Sequence, residues 1–258
     1  MNVYSGPRQK NPYYTPFSAN INYQAGFEPG GMYVKNVTSP SEVPFEWEYI
    51  NDTSFVRFSK YSNKNSVKVN LLEPLNPSES VTMYVEFQVK IPRRVQGADN
   101  TIFKDMIAVS GAWYPNIAPI VDRNWASNRF ILMPHTLKNL VLNVPEAYSV
   151  AIAGDTVSES RVTTNHFPFS KFRRVTVSHD TPINRQSFMA ARHLEKVTHV
   201  TSDNIRIEVY FRKSIHQPIA KQYLKLASQI RDRFSKKFGD NRSKRWVIVE
   251  SPIMGVWA

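Results

Sequence analysis

The stretch Ile205-Arg206-Ile207-Glu208-Val209-Tyr210-Phe211-Arg212 decides how the second half of this 258-residue chain folds. Its apolar residues alternate with polar ones, and a period of two predicts a half-buried β-strand. Pro218 stands where a helix can begin, because the first helical turn leaves its N–H groups unpaired and proline has none. Apolar residues then recur at spacings of three and four as far as Phe238, and Gly239 ends the pattern. The sequence therefore predicts one amphipathic helix over Ile219 to Phe238.

A second strand is predicted close to the end of the chain. The apolar run Trp246-Val247-Ile248-Val249 is bounded by charged residues and by Pro252, which is typical of a short buried strand. We expect this strand to open a new α/β unit, and the chain stops soon after that unit begins. We therefore expect residues 213–258 to be the start of a truncated domain of the catalytic type.

The rest of the chain predicts a β-rich body. Residues 1–30 are rich in Tyr, Pro, Asn and Gly without sustained periodicity, which indicates a loosely ordered extension. From residue 31 to residue 212, short apolar runs alternate with turn residues, as in antiparallel sandwiches. We predict a mainly β fold: a large antiparallel β-sandwich or saddle, followed by one amphipathic helix and a short strand of a truncated α/β domain. The predicted strands are Met32 to Val37, Phe45 to Ile50, Ser54 to Phe58, Val67 to Leu72, Val81 to Val89, Met106 to Val109, Phe130 to Met133, Leu137 to Val144, Val150 to Ala153, Phe172 to Val177, Phe188 to Arg192 and Ile205 to Phe211.

Composition narrows the class of protein. With 41% hydrophobic residues the chain can bury a real core. It has no cysteine, which excludes disulfides and thiolate metal sites, and which fits both a reducing compartment and a bacterial exported protein. The sequence shows neither a signal peptide nor a run of eighteen apolar residues, and we predict a cytoplasmic location.

The net charge of +12 is concentrated in one third of the chain. Residues 161–245 hold 19 Lys and Arg against 6 Asp and Glu. Such a region can attract phosphate or an acidic surface, although a solvated helix face with a basic loop explains it as well. We do not predict nucleic-acid binding, because no RNA-binding aromatic motif, zinc finger or helix-turn-helix pattern accompanies the charge. The cations that suggest an acidic partner are Arg173, Arg174, Lys236, Lys237, Arg242, Lys244 and Arg245.

Motifs of catalysis are missing from the sequence. It contains no H-E-x-x-H, no G-x-S-x-G, no Walker loop and no G-x-G-x-x-G. The histidines nearest in sequence, His193 and His199, are six residues apart, which is a poor spacing for a metal clip. We therefore assign no catalytic, cofactor-binding or metal-binding residue, and His166, His179 and His193 are the histidines to examine if the chain does hold zinc.

Four motifs in order carry a family resemblance. Residues 69–92 include Leu72-Glu73-Pro74-Leu75-Asn76-Pro77-Ser78-Glu79 and end in Ile91-Pro92. Trp113-Tyr114-Pro115, the run from Leu140 to Gly154, and Ser187-Phe188-Met189-Ala190-Ala191 follow. The set resembles the N-terminal β domain of zinc metallopeptidases of the aminopeptidase N family, together with the start of their catalytic domain. The resemblance covers about residues 30–250, and the family has glycine where this chain has Ser78.

The resemblance implies a function without an active site in this chain. In the family the N-terminal domain packs against the catalytic domain and helps to shape the peptide cleft. Here Met254 lacks the Glu-Asn that follows it in the family's G-x-M-E-N motif, and the zinc motif is absent. Without its ligands and a glutamate to activate water, the chain has no means of peptide hydrolysis. We expect zinc only in a complete parent enzyme, and peptide substrate only through that parent.

Two hypotheses follow. The first is a non-catalytic N-terminal accessory domain, whose partner is the catalytic domain of the same parent and which self-associates through residues 213–258 when that domain is missing. The alternative is a free-standing β-sandwich protein that binds an acidic polymer or partner through its basic third. Trp113 and Tyr114 are candidates to face substrate, but aromatic residues in a turn are more commonly buried.

Overall fold

The fold is described by a computed structural model for residues 31–52, 63–91, 93, 100–109, 113–121, 124–125, 134–163, 171–239 and 243–251. The chain divides into two compact units, residues 1–101 with 111–133, and residues 102–110 with 134–258. The sequence predicted domain boundaries at residues 30 and 212. These boundaries stay predictions.

Sixteen strands and one long helix occur in the described part of the chain. The strands are β1 (Gly31–Thr38), β2 (Trp47–Asp52), β3 (Asn63–Val69), β4 (Tyr84–Lys90), β5 (Asn100–Phe103), β6 (Met106–Val109), β7 (Ile120–Val121), β8 (Asn124–Trp125), β9 (Leu140–Pro145), β10 (Tyr148–Ile152), β11 (Thr156–Thr163), β12 (Lys171–Ser178), β13 (Phe188–Arg192), β14 (Glu195–Val200), β15 (Arg206–Phe211) and β16 (Arg245–Val249). A 3-10 turn (Ser214–His216) leads into helix α1 (Gln217–Phe238).

The first unit is held together by a core under two antiparallel pairs, β1 with β4 and β2 with β3. Alternate residues of β1, which are Met32 and Val34, point to this core, and a bulge after Val34 lets Val37 point there too. Phe45 and Val67 complete the buried cluster. The apolar period of two in these strands arises because alternate side chains point into the core.

The second unit contains three sheets. Their strand orders are β10-β13-β6-β5, β11-β12-β9 and β14-β15-β16. In the third sheet β14 runs antiparallel to β15, whereas β16 runs parallel to it and pairs Ile207 with Trp246. Parallel neighbours need a long crossover, and α1 supplies it. The predicted strand, helix and strand therefore form one β-α-β unit.

The predicted fold class is confirmed: the described residues are mainly strands in antiparallel sheets, followed by a helix and a short strand. The helix begins at Gln217 and ends at Phe238, and Gly239 caps it with a φ of 86° and a ψ of 167°, a backbone conformation that is essentially restricted to glycine. Ten of the twelve predicted strands overlap observed ones. The other two, Ser54 to Phe58 and Phe130 to Met133, lie outside the described residues.

One prediction about the deciding stretch was wrong. Strand β15 is not half-buried, because every residue from Ile207 to Phe211 is buried. Its polar residues Glu208 and Tyr210 are only 2% and 5% exposed. Both faces of β15 are covered, because α1 packs on the face of Val209 and Phe211 while Tyr210 on the other face packs against strands β6, β10 and β13. The sequence analysis also missed β5, β7, β8, β11 and β14.

Candidate docking surface

Helix α1 is held on its sheet by a face of small side chains. Ala220 and Ala227 are 3% and 7% exposed, and their size lets the helix backbone approach the sheet closely. Ala220 belongs to the same buried cluster as Val209 and Phe211 of β15, with Leu224 of the helix packed against it. The helix contacts β15 and β14. One side of α1 is therefore committed to the core of its own unit.

An ion pair fixes the middle of this inner face. Arg231 is buried, and its guanidinium group bonds to the carboxylate of Asp203 in the turn between β14 and β15. A second contact joins its Nη1 to Asp232 Oδ1 at 3.3 Å. The Thr201 hydroxyl donates to Asp203 and, with Arg231, keeps the pKa of that carboxyl low, so Asp203 remains charged. A buried guanidinium needs such partners, because burial without them is strongly unfavourable.

The ends of the β-α-β unit are tied together by Glu250, which follows β16. Its Oε2 accepts a hydrogen bond of 2.9 Å from the Arg212 backbone N–H, and its Oε1 lies 2.8 Å from His216 Nδ1. Burial alone would raise the pKa of Glu250, but these two contacts outweigh it and the pKa is lowered. The Arg212 side chain in turn bonds to Asp105. The start of α1 is thereby held beside the end of β16.

A second face of α1 is apolar and exposed. It carries six large side chains at spacings of three and four, each between 41% and 69% exposed. Fully burying one such side chain is worth roughly 1.5–3 kcal/mol, so covering this face would stabilise a complex by several kcal/mol. Isolated exposed apolar residues are ordinary, but a continuous row of six is typical of an interaction site. The members of this apolar stripe are Ile219, Tyr223, Leu226, Ile230, Phe234 and Phe238.

The stripe lies on the side of the helix and not on its crest. At about 100° per residue, the stripe is centred roughly a quarter of a turn from the buried face of Ala220, Ala227 and Arg231. The crest opposite the buried face carries polar and basic residues instead. All of them are exposed: Gln222, Lys225, Gln229, Arg233 and Lys236. The apolar stripe thus lies between the core of its own unit and the crest. We call the crest cations Lys225, Arg233 and Lys236 the basic row.

A buried charge cluster lies on the opposite face of the same sheet, around Glu208. Glu208 Oε1 accepts a bond of 3.0 Å from Lys196 Nζ. Its Oε2 accepts from the Tyr210 hydroxyl at 3.0 Å and from Arg245 Nε at 2.9 Å. The Arg245 guanidinium also donates to the backbone carbonyl of Ile152 in β10. Arg245, which the sequence analysis counted among the cations for an acidic partner, is therefore committed to holding β16 in place.

The protonation states in this cluster follow from its geometry. Burial would raise the pKa of Glu208, but the bond from Lys196 and the charge of Arg245 outweigh it, so the pKa is lowered. Burial would likewise lower the pKa of Lys196, yet the bond to Glu208 raises it. Burial and the Glu208 charge raise the pKa of Tyr210. Near neutral pH the cluster holds one carboxylate, two cations and a neutral phenol, which makes it a structural clamp with no general acid or base near pH 7.

A groove of about 380 Å³ lies beside the cluster and is lined by side chains of both signs. Lys244 of its lining, and Arg173 and Arg174 of strand β12, already have partners. Arg173 Nη1 donates to Glu159 at 2.9 Å, and Lys244 Nζ donates to Asp180 at 2.6 Å. Arg174 donates to Asn143 at 3.1 Å. The charges of Arg173 and Lys244 are therefore partly neutralised within the unit, whereas Arg174 keeps its charge because Asn143 is neutral. With side chains of both signs in its lining, the groove presents no uniform field to an acidic ligand.

Two cations of the sequence analysis remain exposed on α1, Lys236 and Lys237. Lys237 Nζ lies 5.2 Å from the ring centre of Phe238, at the end of the apolar stripe. Arg242 lies outside the described residues. Of the seven cations singled out from the sequence, four therefore have partners within the second unit and two are exposed on the helix.

The described residues bring no metal site together. No group of three His, Asp or Glu side chains in the described ranges could hold a metal ion. His179 Nε2 lies 2.6 Å from Gln186 Oε1, and His193 is exposed with a φ of 55°. His166 lies outside the described residues. The zinc that the resemblance implies for a complete parent thus has no matching residues in the described part of this chain.

The last two features are the aromatic pair Trp113 and Tyr114 and the apolar character of the helices. Trp113 and Tyr114 are half-buried and packed edge to face, with ring centres 5.0 Å apart. This contact explains their place in a turn without a substrate. Among the described residues, no helix has the length and apolar character needed to cross a membrane.

Solved structures with a similar fold are zinc metallopeptidases. An M1 zinc metallopeptidase from Deinococcus radiodurans matches 87% of this chain at a TM-score of 0.53 and 12% identity. A variant bound to a Tyr-Ser-Ala substrate, from the same organism, matches 88% at the same score and identity. A two-domain M1 zinc metallopeptidase variant bound to L-arginine matches 87% of this chain, again at 0.53 and 12%. No protein-family model matches the sequence, and no curated protein matches it.

These matches show the fold and set its extent. The chain spans 47–48% of the length of the three neighbours, so about half of each neighbour has no counterpart here. At 12% identity the likeness carries no residue role from one protein to the other. It agrees with the fold that the motif resemblance implied.

Proposed function

We propose that this chain is the non-catalytic N-terminal accessory domain of a zinc metallopeptidase resembling aminopeptidase N, followed in residues 213–258 by the first helix and strand of the catalytic-type domain, and that it packs against the remainder of the catalytic domain of that parent. The observation that carries the proposal is the apolar stripe of α1. A helix fixed to its sheet by Ala220, Ala227 and Arg231 has no means of turning its second apolar face inward, so that face needs a cover from elsewhere. The fold likeness to half of a zinc metallopeptidase supports the catalytic domain as that cover.

The accessory domain supports the catalytic domain and forms one wall of its peptide cleft. In this proposal the β-α-β unit presents α1 and β16 as a rigid platform, held by the clamps at Glu208 and Glu250. The catalytic domain supplies the zinc ligands and the glutamate that activates water. The present chain contributes a wall of the cleft and no reacting group.

Crosslinking in the cell of origin tests the proposal. A lysine-reactive crosslinker should join Lys221, Lys225 and Lys236 of α1 to a polypeptide that carries two histidines and a carboxylate at zinc-ligand spacing, in the same chain or in another. Leu226→Asp places a charge in the stripe and should abolish these crosslinks. Leu72→Asp is the matched control, because Leu72 is also exposed but lies far from α1 in the sequence. Crosslinks confined to proteins without a zinc motif would overturn the proposal.

A further inference from the structure

The charges around the apolar stripe identify what kind of surface covers it. We infer that the partner is an amphipathic α-helix with acidic side chains along its edges, which lies alongside α1. This inference rests on the proposed function, since it describes the part of the catalytic domain that would meet α1. Neither the motif resemblance nor the fold likeness assigns this chemistry.

The exposed charges of α1 are mostly positive and favour an acidic partner. Five exposed cations stand on α1 against a single exposed acid, Asp232. The buried Arg231 is already paired and does not count toward this field. A partner with carboxylates facing the basic row gains attraction and orientation, whereas a basic or neutral partner leaves the cations unmatched. The exposed cations are Lys221, Lys225, Arg233, Lys236 and Lys237.

The position of the stripe on the side of α1 favours a partner helix over a flat surface. A flat surface such as a bilayer would meet the crest first, and the crest carries Gln222, Lys225, Gln229 and Lys236. A partner helix beside α1 can instead contact Leu226, Ile230 and Phe234 while the crest stays exposed to solvent. Helices pack with their axes about 8–10 Å apart, which matches a contact along one side. The stripe from Ile219 to Phe238 is roughly 29 Å long at 1.5 Å per residue, enough for five turns of a partner helix.

A second copy of the chain fits less well. Two α1 helices side by side would place their basic rows in the same interface, and like charges at this separation repel. Apolar association of two copies would therefore be weak at low ionic strength. An acidic partner removes this cost, which is why we assign the stripe to a different surface and not to itself.

Peptide binding to the intact 258-residue chain tests the inference. The probe is a fluorescent helical peptide of about 21 residues, with leucine at two positions of each heptad and glutamate on the flanks. A second peptide has lysine in place of every glutamate, and a third has the acidic composition in scrambled order. We expect the acidic helix to bind at least about tenfold more tightly than the basic one at about 0.15 M salt, and more weakly as salt rises.

Matched variants separate the two contributions. Leu226→Asp should weaken binding of the acidic helix by about tenfold or more, and Leu72→Asp should leave it unchanged. Lys225→Glu with Lys236→Glu should reverse the preference between acidic and basic helices. Lys138→Glu with Lys171→Glu changes the net charge equally at exposed sites outside α1, and should not reverse it.

Four results would overturn the inference. They are equal affinity for the acidic and basic helices, no binding of the acidic helix, equally tight binding of the scrambled peptide or polyglutamate, and tighter binding to phosphatidylglycerol vesicles. Failure here with crosslinks to a zinc polypeptide would leave the proposed function standing. Binding of the acidic helix without such crosslinks would support the acidic-helix docking surface and contradict the proposed role in a zinc metallopeptidase.

Discussion

At the scale of single residues, Ser78 shows how a departure from a family pattern becomes a backbone problem. The resembling family has glycine at this position, and Ser78 here has a φ of 71°. A residue with a Cβ costs roughly 1–2 kcal/mol in the left-handed region. The turn is held instead by its neighbours, because the Asn76 N–H donates to Glu79 Oε2 at 2.9 Å and the Glu79 N–H donates to the Asn76 carbonyl at 3.1 Å.

We therefore expect Ser78→Gly to stabilise the chain. The gain is about 0.5–1 kcal/mol, because relief of the left-handed strain exceeds the extra freedom that glycine gives to the unfolded chain. The midpoint of urea unfolding should rise. Ser78→Ala keeps the Cβ and should leave the midpoint close to that of the original chain, and a fall in stability for Ser78→Gly would contradict the argument.

At Glu208 we expect the opposite effect, because a small change of side chain should cause a large loss of folding stability. Glu208→Gln removes the only carboxylate bonded to Arg245 and Lys196 among the described contacts, and leaves a buried guanidinium without its counter-ion. Breaking a buried pair in this way costs roughly 3–5 kcal/mol. Glu86→Gln is the control, because its pair with Lys35 is exposed and should be worth less than about 1 kcal/mol. Equal losses for the two substitutions would contradict a structural clamp.

The pH dependence of this loss has a defined sign. The pKa of Glu208 is lowered in the folded chain, so its contribution to stability is complete above the ordinary glutamate pKa of 4.5. The contribution disappears as pH falls through the lower folded value. The difference in unfolding free energy between the original chain and Glu208→Gln should therefore be constant from pH 6 to 8 and shrink below about pH 4.5.

At the scale of elements, two adjacent residues of α1 separate its inner face from its stripe. Ala227 is 7% exposed and Leu226 is 48% exposed. Ala227→Asp buries a carboxylate on the inner face of α1 and should cost at least about 3 kcal/mol. Leu226→Asp faces solvent and should cost less than about 1 kcal/mol. Thermal unfolding followed by circular dichroism at 222 nm measures both, and similar losses would show that the helix is seated differently.

The same helix shows what a sequence can and cannot predict. Its bounds followed from apolar spacing, Pro218 and Gly239, all of which are local signals. The burial of Glu208 and Tyr210 did not, because alternation along one strand does not reveal that a helix covers one of its faces and a second sheet covers the other. Charge counting placed Arg245 on a basic surface for the same reason, since a buried counter-ion 37 positions away leaves no local pattern.

Strand β11 was missed for a related cause. Its pattern is polar at most positions, and it lies at the edge of its sheet, where all eight of its residues pair with β12 and most of them are exposed. Edge strands need few apolar residues, so their sequences resemble loops. The stripe of α1 could be predicted in position, but only the structure shows that Ala220 and Ala227 make the contact with the sheet instead.

At the scale of the whole molecule, the first expectation concerns chemistry. The purified chain should not hydrolyse aminoacyl reporter substrates, with or without added zinc, and should retain no stoichiometric zinc after dialysis. The reason is that peptide hydrolysis of this class needs three converging ligands and a glutamate, which the sequence does not supply as a motif. Metal content by mass spectrometry and turnover with and without a chelator check it. One tightly held zinc per chain, or chelator-sensitive turnover, would contradict the accessory role.

The last expectation concerns how the isolated chain behaves when nothing covers α1. Apolar burial favours pairing of two stripes through residues 213–258, whereas repulsion between the basic rows opposes it. Salt changes the balance, because the Debye length falls from about 10 Å at 0.1 M to about 3 Å at 1 M while apolar association is not screened. We therefore expect a monomer at low salt and self-association at high salt.

Analytical ultracentrifugation over this range measures the balance directly. Leu226→Asp with Ile230→Asp should keep the chain monomeric at every salt concentration, and Leu72→Asp should not. Self-association that weakens as salt rises would mean that opposite charges hold the copies together. In that case the basic row would already have its acidic partner in a second copy of this chain, and the stripe would not need another.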